Sequence, residues 1–459
     1  MFVIHLLMAL PFLDRQDEQR RLRRFLTGED ARLAVLYGRR RCGKSALLQR
    51  VCGPGDVYAL ADEREAPAQR HALAAEIGRV VPGFDLPRYE SWDVLLTALA
   101  SRVERLNVVL DEFPYLAAAA PELPSVLQRH LDRPGAGRVR FVLCGSSQRM
   151  MQGLALDRSA PLYGRAQEIL HLAPLEPGWI VEALGVAGAD AVEAWSVWGG
   201  VPRYWDLASR YPSRTEAVAD LVLHRHGVLH DEPRGLLLDE LRSATQASTI
   251  LALVGAGAHR MSELAGRMAK PAGALTRPLS QLLELGYVRK EVPFGEDPRN
   301  SKRTLYRLGD PFLAFWFRFV EPARTLLERG LVELVQARVE GEFPHHCALA
   351  WEHLARDSVP RLRVGGVDWG AASRWWGTGT AGPMEFDLVA ESADGRSVLL
   401  GEVKWASRPD LPRWRAELAA RAQAAPFVRG RKVVCALWAK GVDAADDVVT
   451  PDQVLAALR

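Results

Sequence analysis

The chain has 459 residues, which at roughly 100 to 200 residues per domain favours about three domains over one. Its 59 Lys plus Arg nearly balance 56 Asp plus Glu, and 48% of the residues are apolar, so neither a uniformly basic nucleic-acid coat nor chain-wide disorder is compatible with it. No run approaches the roughly 18 uninterrupted apolar residues of a spanning helix, so no membrane partner is expected. The opening MFVIHLLMAL lacks a basic leading region and a small-residue cleavage site, so no secretion signal is expected there, and Met8 is an alternative start. Cys42, Cys52, Cys144, Cys347 and Cys435 are scattered and form no C-x-x-C pair, which predicts reduced thiols in a cytoplasmic protein without disulfides or structural zinc.

From residue 30 to 175, β-rich runs at 32–37, 56–61, 106–111, 140–145 and 168–173 alternate with helical stretches. That pattern predicts an α/β fold whose parallel sheet carries helices on both faces. Helical periodicity takes over between 175 and 235, broken by WGGVPRYW at 198–205, and predicts a small helical lid. Three helical stretches (248–256, 262–269 and 273–285) then run into two short β-like segments around a polar loop, the pattern of a winged helix-turn-helix. From about 335 an α/β domain follows, with strands expected at 385–391, 397–405 and 431–438. The expected boundaries are 1–174 for the sheet domain, 175–240 for the lid, 241–330 for the winged helix and 331–459 for the last domain.

The strongest local signal is Gly38-Arg39-Arg40-Arg41-Cys42-Gly43-Lys44-Ser45, a full G-x-x-x-x-G-K-[ST] between a strand and the helix that continues through Ala46. The glycines let backbone N–H groups turn inward to cradle phosphates. Lys44 reaches the β- and γ-phosphates, and Ser45 ligates Mg²⁺ at a helix N-terminus that favours anions. A later apolar strand ends in Asp111-Glu112, which places Asp111 to complete the magnesium shell and Glu112 to orient or deprotonate water. A further strand ends at Cys144-Gly145-Ser146, where Ser146 is placed to sense the γ-phosphate. Arg165 reads either as a transition-state cation in the manner of an arginine finger or as a structural residue.

These pieces together resemble the archaeal-type P-loop ATPases, a branch of the AAA+ and STAND group. The resemblance rests on PFLDRQDEQRRL (11–22), YGRRRCGKS (37–45), NVVLDEFPYL (107–116), FVLCGSS (141–147), PLYGR (161–165) and GGVPRYW (199–205). It implies ATP rather than GTP, a lid built on the GG-x-P helix, a winged helix and a nuclease-like C-terminal domain. A homo-oligomer in which a neighbour supplies an arginine finger is also implied. The sequence departs from the pattern in having no clear second sensor arginine in the lid, where Arg203 is the candidate.

Residues 241–325 carry 13 Lys plus Arg against 7 Asp plus Glu, a local basic field suited to a DNA backbone. The third helix offers Thr276, Arg277, Ser280 and Gln281 on its polar side, and the hairpin offers Arg289, Lys290, Lys302 and Arg303. Intramolecular or protein–protein docking is the other use of such a module. The run PFLAFWFRF at 311–319 is too apolar for a DNA face and reads as packing.

In EFDLVAE and GEVKW, alternation puts Glu385 with Asp387, and Glu402 with Lys404, on one face of each strand. On adjacent strands Asp387 and Glu402 share a divalent cation beside Lys404, a constellation able to activate water against a phosphodiester. Asp387, fourteen residues, then Glu-x-Lys resembles the P-D-(D/E)-x-K nuclease fold, and the resemblance implies Glu352 as a further acidic ligand. The sequence leaves open whether this domain cleaves DNA or only binds, as in a STAND-type switch or a DNA-binding scaffold. The histidines of HRHGVLH and HHC lack zinc-ligand spacing, and seven of 13 tryptophans after residue 350 read as packing of a small domain.

Overall fold

Five apolar runs pair side by side in the P-loop half of the chain. They are β1 (Leu33–Tyr37), β2 (Val57–Leu60), β3 (Leu106–Asp111), β4 (Val139–Gly145) and β5 (Glu168–His171), in the order β2-β3-β4-β1-β5 with every neighbour parallel. Every residue of β4 is buried, whereas edge strand β5 alternates buried and exposed, as burial on two faces inside and one face at the rim requires. Trp92, Leu95 and Leu99 of one helix and Val126 and Leu127 of another join Leu33, Val108 and Phe141 of the sheet in a single core. This computed structural model describes residues 10–133, 139–241, 243–380, 382–428 and 430–459, so Met8 and most of the apolar opening segment lie outside the described residues.

The chain divides into two compact units. One comprises Asp14–Pro174 together with Asp239–Leu241, and the other takes Leu175–Leu238 and Arg242–Arg459. In the second unit Gly199, Gly200 and Val201 of GGVPRYW join helix Gly188–Trp198 to helix Pro202–Ala208, which begins with the PRYW of that segment. Trp198, Tyr204 and Trp205 are almost wholly buried, and the Trp205 indole donates to the Gly199 carbonyl at 2.6 Å. Helices Ala244–Gly255, Met261–Arg267 and Gly273–Glu284 are followed by an antiparallel hairpin of β6 (Val288–Glu291) and β7 (Leu305–Leu308). PFLAFWFRF packs as its composition predicts: Phe312, Phe315, Trp316, Phe317 and Phe319 are all buried, and the Trp316 indole donates to the His230 carbonyl at 2.7 Å.

The C-terminal part opens with the long helix Val332–Ser358. Then come β8 (Ser373–Gly379), β9 (Gly382–Glu391), β10 (Ser397–Lys404), helix Leu411–Ala424, β11 (Lys432–Ala439) and β12 (Val448–Val449). The sheet order is β12-β11-β10-β9-β8, antiparallel from β8 to β10 and parallel from β10 to β12. Strand β8 is absent from the sequence reading because SRWWGTG contains two glycines, lacks period-two alternation and has an irregular register between Ser373 and Trp375. Among the described residues no helix is long and apolar enough to cross a membrane.

Candidate functional site

The phosphate loop follows β1 and bends where only glycine fits. Gly38 has φ 150°, and a Cβ there would lie 2.3 Å from the Leu172 carbonyl oxygen; Gly43, at φ 90°, leads into helix Lys44–Val51. Arg41, between them, also has positive φ, and Cys42 is buried. Lys44 is 5% exposed and donates to the carbonyls of Gly38 (2.8 Å) and Arg39 (3.0 Å), so the loop is braced around its ammonium. Ser45 and Ala46 stand exposed in the first helical turn.

Ser45 donates to Asp111 Oδ2 at 2.6 Å, and Asp111 is fully buried at the end of β3. A hydroxyl and a carboxylate thus meet at the head of the helix, a donor set that fits a magnesium shell. The Tyr58 hydroxyl donates to the same Asp111 oxygen at 2.6 Å. Burial first, and then Asp111, push this phenol above its usual range. Tyr58 escaped the sequence reading, although β2 is the strand beside β3 and its one tyrosine was a readable signal. Glu112 sits in the left-handed region at φ 55°, a conformation that costs free energy outside glycine and marks a constrained residue. Asp111 Oδ1 accepts its N–H at 3.0 Å, and its own Oε2 accepts from Ser146 N (3.2 Å) and Ser146 Oγ (3.0 Å). The structure therefore joins Ser45, Asp111, Glu112 and Ser146 in one hydrogen-bonded set.

Arg165 does not join it. Its guanidinium forms a two-point pair with Asp132 at 2.9 and 2.8 Å and donates to the carbonyls of Pro161 and Tyr163. The next turn anchors at the start of β1, where Gln167 Oε1 accepts from Arg32 N and Leu33 N. The phosphate loop leaves the other end of that strand, so Arg165 has a structural role in its own sheet and is no finger for its own site. Arg203 is paired with Asp206 within one helix.

The C-terminal acids lie on neighbouring strands. The β9–β10 ladder reaches Gly401↔Leu388, and one step on Asp387 Oδ2 accepts the Val403 N–H at 3.0 Å. Glu402 is buried, with Oε1 on Lys404 Nζ at 2.6 Å and Oε2 on Arg421. Burial first, then Glu402, push the Asp387 carboxyl up to about 6 against the opposing Val403 hydrogen bond. Glu352 is tied to Arg356 at 3.5 Å, and among the described residues no three His, Cys, Asp or Glu side chains gather closely enough to hold a metal ion. Asp387 and Glu402 meet across the two strands, and the charge of Glu352 also acts on Asp387.

The Asp387 value has a direct consequence for stability. Because the folded carboxyl binds its proton up to about 6 and an unfolded one only to about 3.9, the protonated form's contribution is complete below about pH 4 and lost as pH rises through 6. Asp387→Asn keeps an oxygen for Val403 and removes the charge. It is expected to raise the unfolding midpoint at about pH 7.5, by the equivalent of up to about 3 kcal/mol, and to leave it unchanged at about pH 4. Thermal melts at the two pH values check this.

The hairpin's cations are largely spoken for. Arg289 pairs with Asp357 (3.1 Å), Arg303 binds Glu296 and the Trp376 carbonyl, and Lys290 binds the Pro298 carbonyl. Phe294 N donates to Arg374 O at 2.8 Å, and its ring meets Phe427 in the aromatic core around Trp375 and Phe386. The hairpin thus packs on the C-terminal sheet, with Arg289, Lys290 and Arg303 holding intramolecular partners and Lys302 exposed. Thr276, Arg277 and Ser280 on the third helix are exposed. His230 and His346, from the two histidine-rich runs, bind the carbonyls of Val222 and Ser196 in the core.

A parallel sheet with a phosphate loop after its first strand and an acid pair closing its third strand defines a P-loop nucleotide-binding domain. Residues 12–206 match the family described as an ATPase domain predominantly from Archaea, and residues 316–416 match one described as archaeal and bacterial proteins of unknown function. Residues 12–206 thus form an archaeal-type P-loop ATPase domain, a kind of domain that binds and hydrolyses ATP. An uncharacterized protein of Methanocaldococcus jannaschii is 26% identical over 413 residues, 87% of this chain and 88% of that protein. Among solved structures, a Walker-type ATPase of Pyrococcus abyssi is 21% identical with TM-score 0.49, over 66% of this chain and 95% of its own. The ORC2 protein of Aeropyrum pernix, solved with ADPNP and ADP, is 19% identical with TM-score 0.43, over 70% and 96%.

Proposed function

We propose that this chain is a cytoplasmic Mg²⁺-dependent ATPase that acts on DNA through a winged helix and a nuclease-like C-terminal domain. The observation that carries the reading is the hydrogen-bonded set of Ser45, Asp111, Glu112 and Ser146 beside the braced Lys44. In it Gly38 through Ala46 hold the phosphates, Ser45 and Asp111 hold Mg²⁺, and Glu112 acts on water once it leaves Ser146. A second copy of the chain is the source of the arginine finger in this reading, since Arg165 stands at the far end of its own sheet.

The DNA part of the proposal draws on the basic surplus of residues 241–325 and on the exposed Thr276, Arg277 and Ser280. The nuclease-like part draws on Asp387, Glu402 and Lys404 at one end of two adjacent strands, within a helix, three antiparallel strands, a helix and a parallel strand. A second reading, a nucleotide-dependent scaffold whose last domain only binds, is favoured by the occupation of both Glu402 oxygens by Lys404 and Arg421. Duplex binding tests the shared element. Affinity is expected to fall with ionic strength, and Arg277→Ala to lower the log–log salt slope by about 1. Affinity indifferent to salt would contradict it.

A further inference from the structure

Within the P-loop unit, the segment Asp239–Leu241 lies against the nucleotide site. Asp239 pairs with Arg40 of the phosphate loop at 2.6 Å, and its carbonyl accepts from Ser147 Oγ at 3.2 Å. Glu240 is 3% exposed, and its two oxygens accept the N–H groups of Gln148 (3.3 Å) and Arg149 (3.4 Å), next to the Ser146 that holds Glu112. Burial pushes the Glu240 carboxyl up, while those two N–H groups, and then Lys44, pull it back; Lys44 therefore lies within its electrostatic reach. Two carboxylates about 200 residues along the chain thus lie at the phosphate loop, Asp239 paired with Arg40 and Glu240 buried beside it.

We propose that Asp239 and Glu240 form an internal acidic latch that competes with the β- and γ-phosphates of ATP for Arg40 and Lys44. The two long hydrogen bonds to Gln148 and Arg149 exceed the usual range for a charge-assisted pair, as suits a contact made to be given up. ATP brings more negative charge to the same loop and also ligates through Mg²⁺, so it displaces the latch. The departing Glu240 frees the backbone of Gln148 and Arg149 beside Ser146, which couples phosphate binding to the strand end that restrains Glu112. Nucleotide occupancy is thereby reported at the point where the chain leaves this unit.

The test uses the full-length protein and the variants Glu240→Gln and Asp239→Asn. Glutamine retains an oxygen for the Gln148 and Arg149 N–H groups, so a purely capping role predicts wild-type nucleotide affinity. The latch predicts that each variant binds ATP and ADP about three- to tenfold tighter while AMP affinity is unchanged, because AMP lacks the competing phosphates. It also predicts faster amide hydrogen exchange at Gln148 and Arg149 when the wild-type protein binds a non-hydrolysable ATP analogue. Unchanged ATP affinity in both variants, an equal gain for AMP, or exchange unaltered by the analogue would each overturn the latch.

Discussion

Lys44→Ala is expected to abolish ATP turnover, lowering the rate by about two to three orders of magnitude or more. The reason lies in what this ammonium does before nucleotide arrives. It is almost fully buried and, among the described residues, bonds to the loop's own Gly38 and Arg39 carbonyls, which holds the backbone curve open and leaves a positive charge at its centre. Alanine removes both the brace and the charge that meets the transferring phosphoryl group. The measurement is steady-state phosphate release, paired with binding of a fluorescent ATP analogue and a thermal melt. The variant should keep the wild-type melting midpoint to within the small effect of a loop substitution. Undiminished turnover in folded protein would remove Lys44 from the site.

How much of this site was legible in the sequence follows from how local its chemistry is. Gly38 to Ser45 and Asp111-Glu112 are contiguous stretches whose roles depend on a strand end and a helix start, so their placement could be read from the residues themselves. Ser146 is legible from its strand end, whereas the bond of Tyr58 to Asp111 depends on the pairing of β2 with β3, a long-range fact that its own segment only hints at. The sequence leaves Arg165 between two roles, and only in three dimensions does Asp132, 33 residues away, pair with it. In the hairpin, Asp357 and the Trp376 carbonyl come from elsewhere in the chain and Glu296 from the hairpin's own loop, and these engage Arg289 and Arg303 while Lys302 stays exposed. Charge counting measures a supply of cations; exposure decides how many remain available to a phosphate backbone. In β8 the signal itself is weak, because paired tryptophans between glycines satisfy no strand period, yet Trp375 is buried in the aromatic core.

The second large effect is expected at the C-terminal acids, with Mn²⁺ or Mg²⁺ as the probe. Asp387 takes one backbone N–H, and its proton affinity is raised first by burial and then by the negative charge of Glu402 and Glu352, which Lys404 only partly offsets. A site with that imbalance gains from a divalent cation, which replaces the proton on Asp387 and draws Glu402 away from Lys404 or Arg421. Mn²⁺ is therefore expected to raise the melting midpoint above pH 6, and the rise should shrink below 6 as the proton competes. With Mn²⁺ bound, the full-length protein should cleave DNA, and Asp387→Ala and Lys404→Ala should each reduce cleavage to background. Glu352→Gln should leave it largely intact, because Glu352 belongs to the Arg356 pair. The two halves of the prediction separate cleanly. Metal-induced stabilisation without cleavage on any DNA substrate would favour the scaffold reading, with Lys404 and Arg421 serving to hold Glu402 as part of a binding surface. Absence of both effects would leave Asp387 a buried acid with no cation to answer it, and would remove metal chemistry from this domain.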